Sequence, residues 1–175
     1  MESKSDVRRA RLRFAAIFAI VGGALLTLYS FPYAEHGVRE DWFSRYLAIY
    51  AQLAGLVLRI FDPAVRVVGN DIVGRTSLTV AKNCDAMDVN LLFASAIVAF
   101  PARWSRRLAG IGAGVFILTT LNILRIVSLY YVDAHWPSAF DVIHVEVWPL
   151  ALVALAVGAF LWWSRWAQAT SNASV

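Results

Sequence analysis

The chain predicts an all-α polytopic membrane protein: about four transmembrane helices, one interfacial or re-entrant helix and a short extracytoplasmic β-hairpin. Three observations carry that prediction. Hydrophobic residues make up 59% of the 175 residues and charged residues 16%, with a mean hydropathy of +0.60, too apolar for a soluble domain of this size. Apolar stretches of about 20 residues, the length a helix needs to cross a bilayer, recur along the chain. The basic residues gather at Arg8, Arg9, Arg11 and Arg13 and again at Arg103, Arg106 and Arg107, so the net charge of +4 reads as an orientation signal and not as a nucleic-acid patch.

The spans run approximately Phe14 to Phe31, Cys84 to Phe100, Leu108 to Val132 and Val142 to Trp163. The first is a retained anchor and not a signal peptide, because its apolar run is long and Tyr29-Ser30-Phe31-Pro32-Tyr33 is a poor cleavage site. Trp42 to Phe61 is interrupted by Arg45, Gln52 and Arg59. The basic N-terminus and the acid-free loop Pro101 to Arg107 both belong in the cytoplasm, and Asp133 to Asp141, which has no Lys or Arg, belongs outside. An even number of crossings must then separate the two cytoplasmic segments, so Trp42 to Phe61 lies in the interface or re-enters. Between it and Cys84, β-branched residues flank Gly69-Asn70-Asp71 and Gly74-Arg75, which predicts the hairpin. The resulting protein is a multi-pass component of the cell (inner) membrane with a cytoplasmic N-terminus.

This topology brings three chemically distinctive side chains to one level. Arg125 lies about 26 Å along its helix from the cytoplasmic end, near the outer edge of a core about 30 Å thick. His144 comes about 3 Å into the last helix, and Cys84, the only cysteine, opens the helix that descends from outside. A lone cysteine is usually a small buried hydrophobe. At a helix N-terminus, with Asn83 or Asp85 as cap, partial positive charge favours its thiolate. Arg125 read alone could snorkel to the interface, but Asn122 and Thr119 precede it by successive turns, which makes a polar stripe facing protein. His144 read alone is equally an ordinary interfacial histidine.

Other features are blander. His36 and His135 sit in loops without partner spacing, and Glu146 falls on a different helix side from His144. Gly110-Ile111-Gly112-Ala113-Gly114 follows no strand, so it is a helix-packing surface and not a phosphate loop. Trp162, Trp163 and Trp166 beside Arg165 read as an aromatic belt. No metal-ligand spacing appears, and no cofactor is expected.

Lys82-Asn83-Cys84-Asp85-Ala86, Phe100-Pro101, Leu121-Asn122-Ile123-Leu124-Arg125-Ile126 and His144 together resemble the exosortase and archaeosortase family. The short length, Ala99-Phe100-Pro101-Ala102-Arg103-Trp104 and Arg107-Leu108 are most similar to its compact exosortase H subfamily. The resemblance covers about residues 55–163, the core of a single domain of 1–175. It implies a membrane cysteine transpeptidase that cleaves a C-terminal sorting signal of exported proteins, composed of a short motif, a transmembrane helix and a basic tail. A thioester intermediate would pass the product to an acceptor, such as a lipid or a glycan. By position Cys84 resembles the nucleophile, Arg125 the catalytic arginine and His144 the catalytic histidine, with Asn122 in support, all on the extracytoplasmic face. One departure stands out: after its cysteine the family usually has Ser or Asn and then Gly, where this chain has Asp85 and Ala86. An acid there opposes a thiolate, and losing the glycine removes backbone freedom.

Two other classes fit the composition. In a non-catalytic membrane scaffold, Arg125 and Asn122 would merely bind a partner helix. A channel or transporter component would need a second ionisable site near the midplane, which the spans lack.

Overall fold

A computed structural model describes residues 4–30 and 38–172. In chain order, α1 (Lys4–Ser30) and α2 (Val38–Phe61) precede a small sheet of β1 (Arg66–Val68), β2 (Asp71–Val73) and β3 (Ser77–Thr79). A 3-10 turn (Lys82–Cys84) leads to α3 (Met87–Ala99) and α4 (Trp104–His135). A second 3-10 turn (Pro137–Ala139), α5 (Phe140–Val142), a π-helical turn (Ile143–Val147) and α6 (Trp148–Asn172) complete the chain. Three helical stretches, Lys4–Ser30, Trp104–His135 and Pro137–Ala169, are long and apolar enough to cross a membrane. α3 is apolar but has 13 residues, about 20 Å of helix. α2 carries Arg39, Glu40, Asp41, Arg45 and Arg59 and is not among the long apolar helices. The poor cleavage site and His36 fall wholly or partly on residues 31–37, outside the described residues.

The chain divides into two compact units. The first contains Met1–Phe31, Met87–Leu118 and Val153–Val175. Its contacts depend on small residues, because among apolar surroundings helices associate by close packing and not by expulsion of water. Gly22 of α1 faces Leu92 and Ser95 of α3, where a Cβ would find ordinary contact at 3.6 Å. Gly110 and Gly114 of α4 are tighter: a Cβ would stand 2.2 Å from the Trp163 indole nitrogen and 1.9 Å from the Phe93 ring. The glycine run is thus a packing surface, as its sequence predicts. Trp163 is the exception to the expected aromatic belt. It is buried against Gly110 and donates Nε1–H to the Arg106 carbonyl at 3.1 Å, while Arg106 donates to the Ala167 carbonyl at 2.7 Å. Trp162 and Trp166 are exposed, as belt residues would be.

The second unit contains Pro32–Ala86 and Thr119–Leu152. Its core gathers Leu47, Tyr50, Ala54 and Leu58 of α2, Ile72 of β2, Cys84, and Ile126 and Tyr130 of α4. The sheet is antiparallel in the order β1-β2-β3, with Val67 opposite Ile72 and Ile72 opposite Leu78. Alternation sends that row to the core and leaves Val68, Thr79 and Ser77 exposed. The predicted hairpin is therefore present and extended by a third strand. Tyr130, fully buried, accepts the Arg75 N–H on its hydroxyl at 2.8 Å. Thr76 donates to Asp133. These contacts fasten the β2–β3 turn to the end of α4.

Candidate active site

Cys84 ends the 3-10 turn, and its amide is closed onto the Ala81 carbonyl at 2.8 Å. It does not open α3, which starts at Met87, so neither Asn83 nor Asp85 occupies that helix's N-cap position. The reason lies at Ala86, whose φ of +52° is left-handed, a conformation that breaks helical continuity and that a Cβ disfavours. Ala86 stands where the resemblance puts a glycine. The thiol thus sits on a turn just ahead of the helix.

Asn122 and Arg125 lie on one face of α4 because three residues make nearly a full turn. Both are buried, with Asn122 0% and Arg125 4% exposed, so the polar stripe faces protein. Asn122 donates Nδ2–H to the Cys84 carbonyl at 2.7 Å, which pins the turn carrying the thiol to α4. Thr119, the third residue of the stripe, is half-buried.

His144 sits in the π-turn. Pro149 has no N–H to close an α-turn onto the Val145 carbonyl, and its ring crowds that carbonyl, so the local helix widens just before it. Arg125 donates an Nη–H to the His144 carbonyl at 3.3 Å, which couples the guanidinium to that turn. His144 Nε2 lies 3.6 Å from Cys84 Sγ, within sulfur hydrogen-bond distance. The Phe140 ring lies 5.4 Å from the imidazole, centre to centre. Trp148 donates to the Ser128 hydroxyl at 3.0 Å, so the segment is also held from its far side.

Cys84, Asn122, Arg125 and His144 are therefore brought together, all within the second unit. His135 is not among them: it is exposed and its Nδ1 meets the Tyr131 carbonyl at 2.9 Å. Glu146 is exposed as well. Two residues carry more than their sequence signal. Asp85 follows the cysteine directly and is buried, 3% exposed. Asp133, about three turns from Asn122 along α4 on an i, i+3/i+4 pattern, joins Cys84 and His144 in lining a cleft of about 300 Å³ that β3 walls on its other side. The pattern of polar residues along α4 could have flagged Asp133.

A buried thiol within proton-transfer reach of an imidazole, beside a guanidinium, can perform nucleophilic acyl chemistry. Among the described residues no cluster of His, Cys, Asp and Glu could hold a metal ion. A family model described as transmembrane exosortase matches residues 14–147. No curated protein matches the chain, and neither does any solved structure.

Proposed function

The chain belongs to the transmembrane exosortase family, and from that premise we propose that it is a membrane cysteine transpeptidase. Its substrates are exported proteins ending in a short motif, a transmembrane helix and a basic tail. The observation that carries this reading is the 3.6 Å approach of Cys84 Sγ to His144 Nε2 beside Arg125.

In the first half-reaction the Cys84 proton passes to His144 Nε2, and the thiolate attacks the scissile carbonyl carbon. Arg125, held by the His144 carbonyl, offsets the charge on the resulting oxyanion. The carbon–nitrogen bond breaks, the leaving amine takes the proton from His144, and a thioester to Cys84 remains. In the second half-reaction a hydroxyl, an amine or water gives its proton to His144 and attacks the thioester carbon, the carbon–sulfur bond breaks, and the departing Cys84 thiolate takes that proton back from His144. Asn122 keeps the Cys84 backbone in place throughout. The site faces the extracytoplasmic side of the cell membrane, where a lipid or glycan acceptor is met. The substrate's own helix shares the bilayer, and that common plane removes much of the entropy of positioning.

The test is the size of a co-expressed reporter bearing such a C-terminal signal from the same genome. Wild-type protein converts it to a shorter product, and Cys84→Ala protein, inserted to the same level, leaves it whole. Normal conversion by Cys84→Ala would rule the nucleophile out and favour a scaffold.

A further inference from the structure

β3 is an edge strand, and its open side borders the cleft that contains the thiol and the imidazole. The hydrogen-bond pattern says which groups face outward. Val80 donates to the Asn70 carbonyl and Gly74 to the Thr76 carbonyl, both at 2.9 Å. In an antiparallel pair, hydrogen-bonded and non-bonded residue pairs alternate. With Leu78 opposite Ile72, residues 76, 78 and 80 therefore bond inward to β2. Ser77 and Thr79 point their N–H and C=O groups away from it, and among the described residues no backbone partner meets them. The extended backbone continues through Ala81, at φ −98° and ψ 173°, to within three residues of Cys84. An unpaired strand edge is a template for another extended chain.

The geometry points to the sorting signal binding as a fourth strand along β3, its motif paired with Ser77 and Thr79 and its scissile bond carried along the cleft to Cys84. This inference rests on the proposed transpeptidase reading and identifies how that site takes its substrate. The occupant is the motif just ahead of the substrate's transmembrane helix. It must be extended, because a helix ties up the very carbonyl the sulfur has to attack. Of the two sheet edges, the one that lines the cleft with Cys84 and His144 is β3.

Proline separates edge pairing from folding, since on an edge strand it is tolerated where the N–H faces outward. Ser77→Pro and Thr79→Pro should each raise the KM for the reporter about 2- to 10-fold, the worth of one lost hydrogen bond, with kcat little changed. Independently, p-benzoylphenylalanine in place of Thr79, in a Cys84→Ala background that retains the substrate, should cross-link to the reporter. The same photoprobe in place of Val68, exposed on β1 on the same sheet face and about 10 Å away, should not. If the proline variants accumulate poorly, the cross-link alone decides. Unchanged KM in both proline variants, or equal cross-linking from positions 68 and 79, overturns strand addition while leaving the transpeptidase reading intact. Cleavage by the Cys84→Ala protein itself overturns that reading instead.

Discussion

The side-chain amide of Asn122 donates to the main-chain carbonyl of Cys84 at 2.7 Å, with Asn122 wholly buried. The backbone of Cys84 therefore hangs from the same helix that presents Arg125. Asn122→Ala should leave that carbonyl unpaired at a cost of about 1–3 kcal/mol and lower kcat on the order of 10²-fold through misplacement of the thiol. Denaturation in detergent measures the first and reporter turnover the second. Wild-type values in both would remove Asn122 from the site.

On the proposed mechanism, Arg125→Ala and His144→Ala should each leave the reporter unprocessed in protein that still inserts, because loss of an oxyanion donor or a proton carrier costs orders of magnitude. Arg125→Lys should fail too, since an ammonium cannot reproduce the planar fork that reaches the His144 carbonyl. His135→Ala, exposed and outside the cluster, should process normally. Gel mobility of the reporter reads all four.

Ala86→Gly should stabilise the protein by about 1 kcal/mol, because it relieves the left-handed φ of +52° at a position where a Cβ is disfavoured. A rise in midpoint on thermal unfolding in detergent checks it. A fall would mean that the alanine methyl packs better than the strain it causes.

Gly114→Val should destabilise the first unit by about 1–3 kcal/mol, since the Phe93 ring occupies the space a Cβ needs. Gly112→Ala, where nothing lies within 4 Å, should be neutral. The pair, compared by unfolding midpoint, separates close packing from a general intolerance of α4 to substitution.

Sidedness has its own test. In a Cys84→Ala background, Val68→Cys, exposed on the sheet, should react with a membrane-impermeant maleimide in spheroplasts, and Ser105→Cys, exposed beside the arginines, should not. Reaction at position 105 would invert the orientation inferred from charge.

Much of this architecture was legible in the sequence because it follows from hydropathy and residue size. Apolar runs announce α1, α4 and α6, and the Gly110–Gly114 run announces the surface that receives Trp163 and Phe93. The polar stripe on α4 was equally readable, since helical spacing alone puts Asn122 and Arg125 on one face. What the sequence hid depends on backbone conformation and partners far along the chain. Only the glycine that the family usually carries at this position hints that Ala86 turns left-handed and so moves Cys84 out of α3 into the preceding turn. Ser77–Thr79 joins the sheet only because Asp71–Val73 lies beside it. Asp85 reads as an acid unfavourable to a thiolate, and its burial emerges only from tertiary packing. Trp163 reads like its neighbours Trp162 and Trp166, and only the close approach of α4 makes it core.

The π-turn at Ile143–Val147 makes the length of this segment as consequential as its composition. Each residue of an α-helix advances the azimuth by about 100°, and the wide turn absorbs one such step between the imidazole and the apolar face of α6. Deleting Val145 would return the segment to ordinary helical phase and swing His144 away from Cys84 without altering either side chain. A change of one codon in length here would part Cys84 from His144 as a substitution of either would, with both side chains still present.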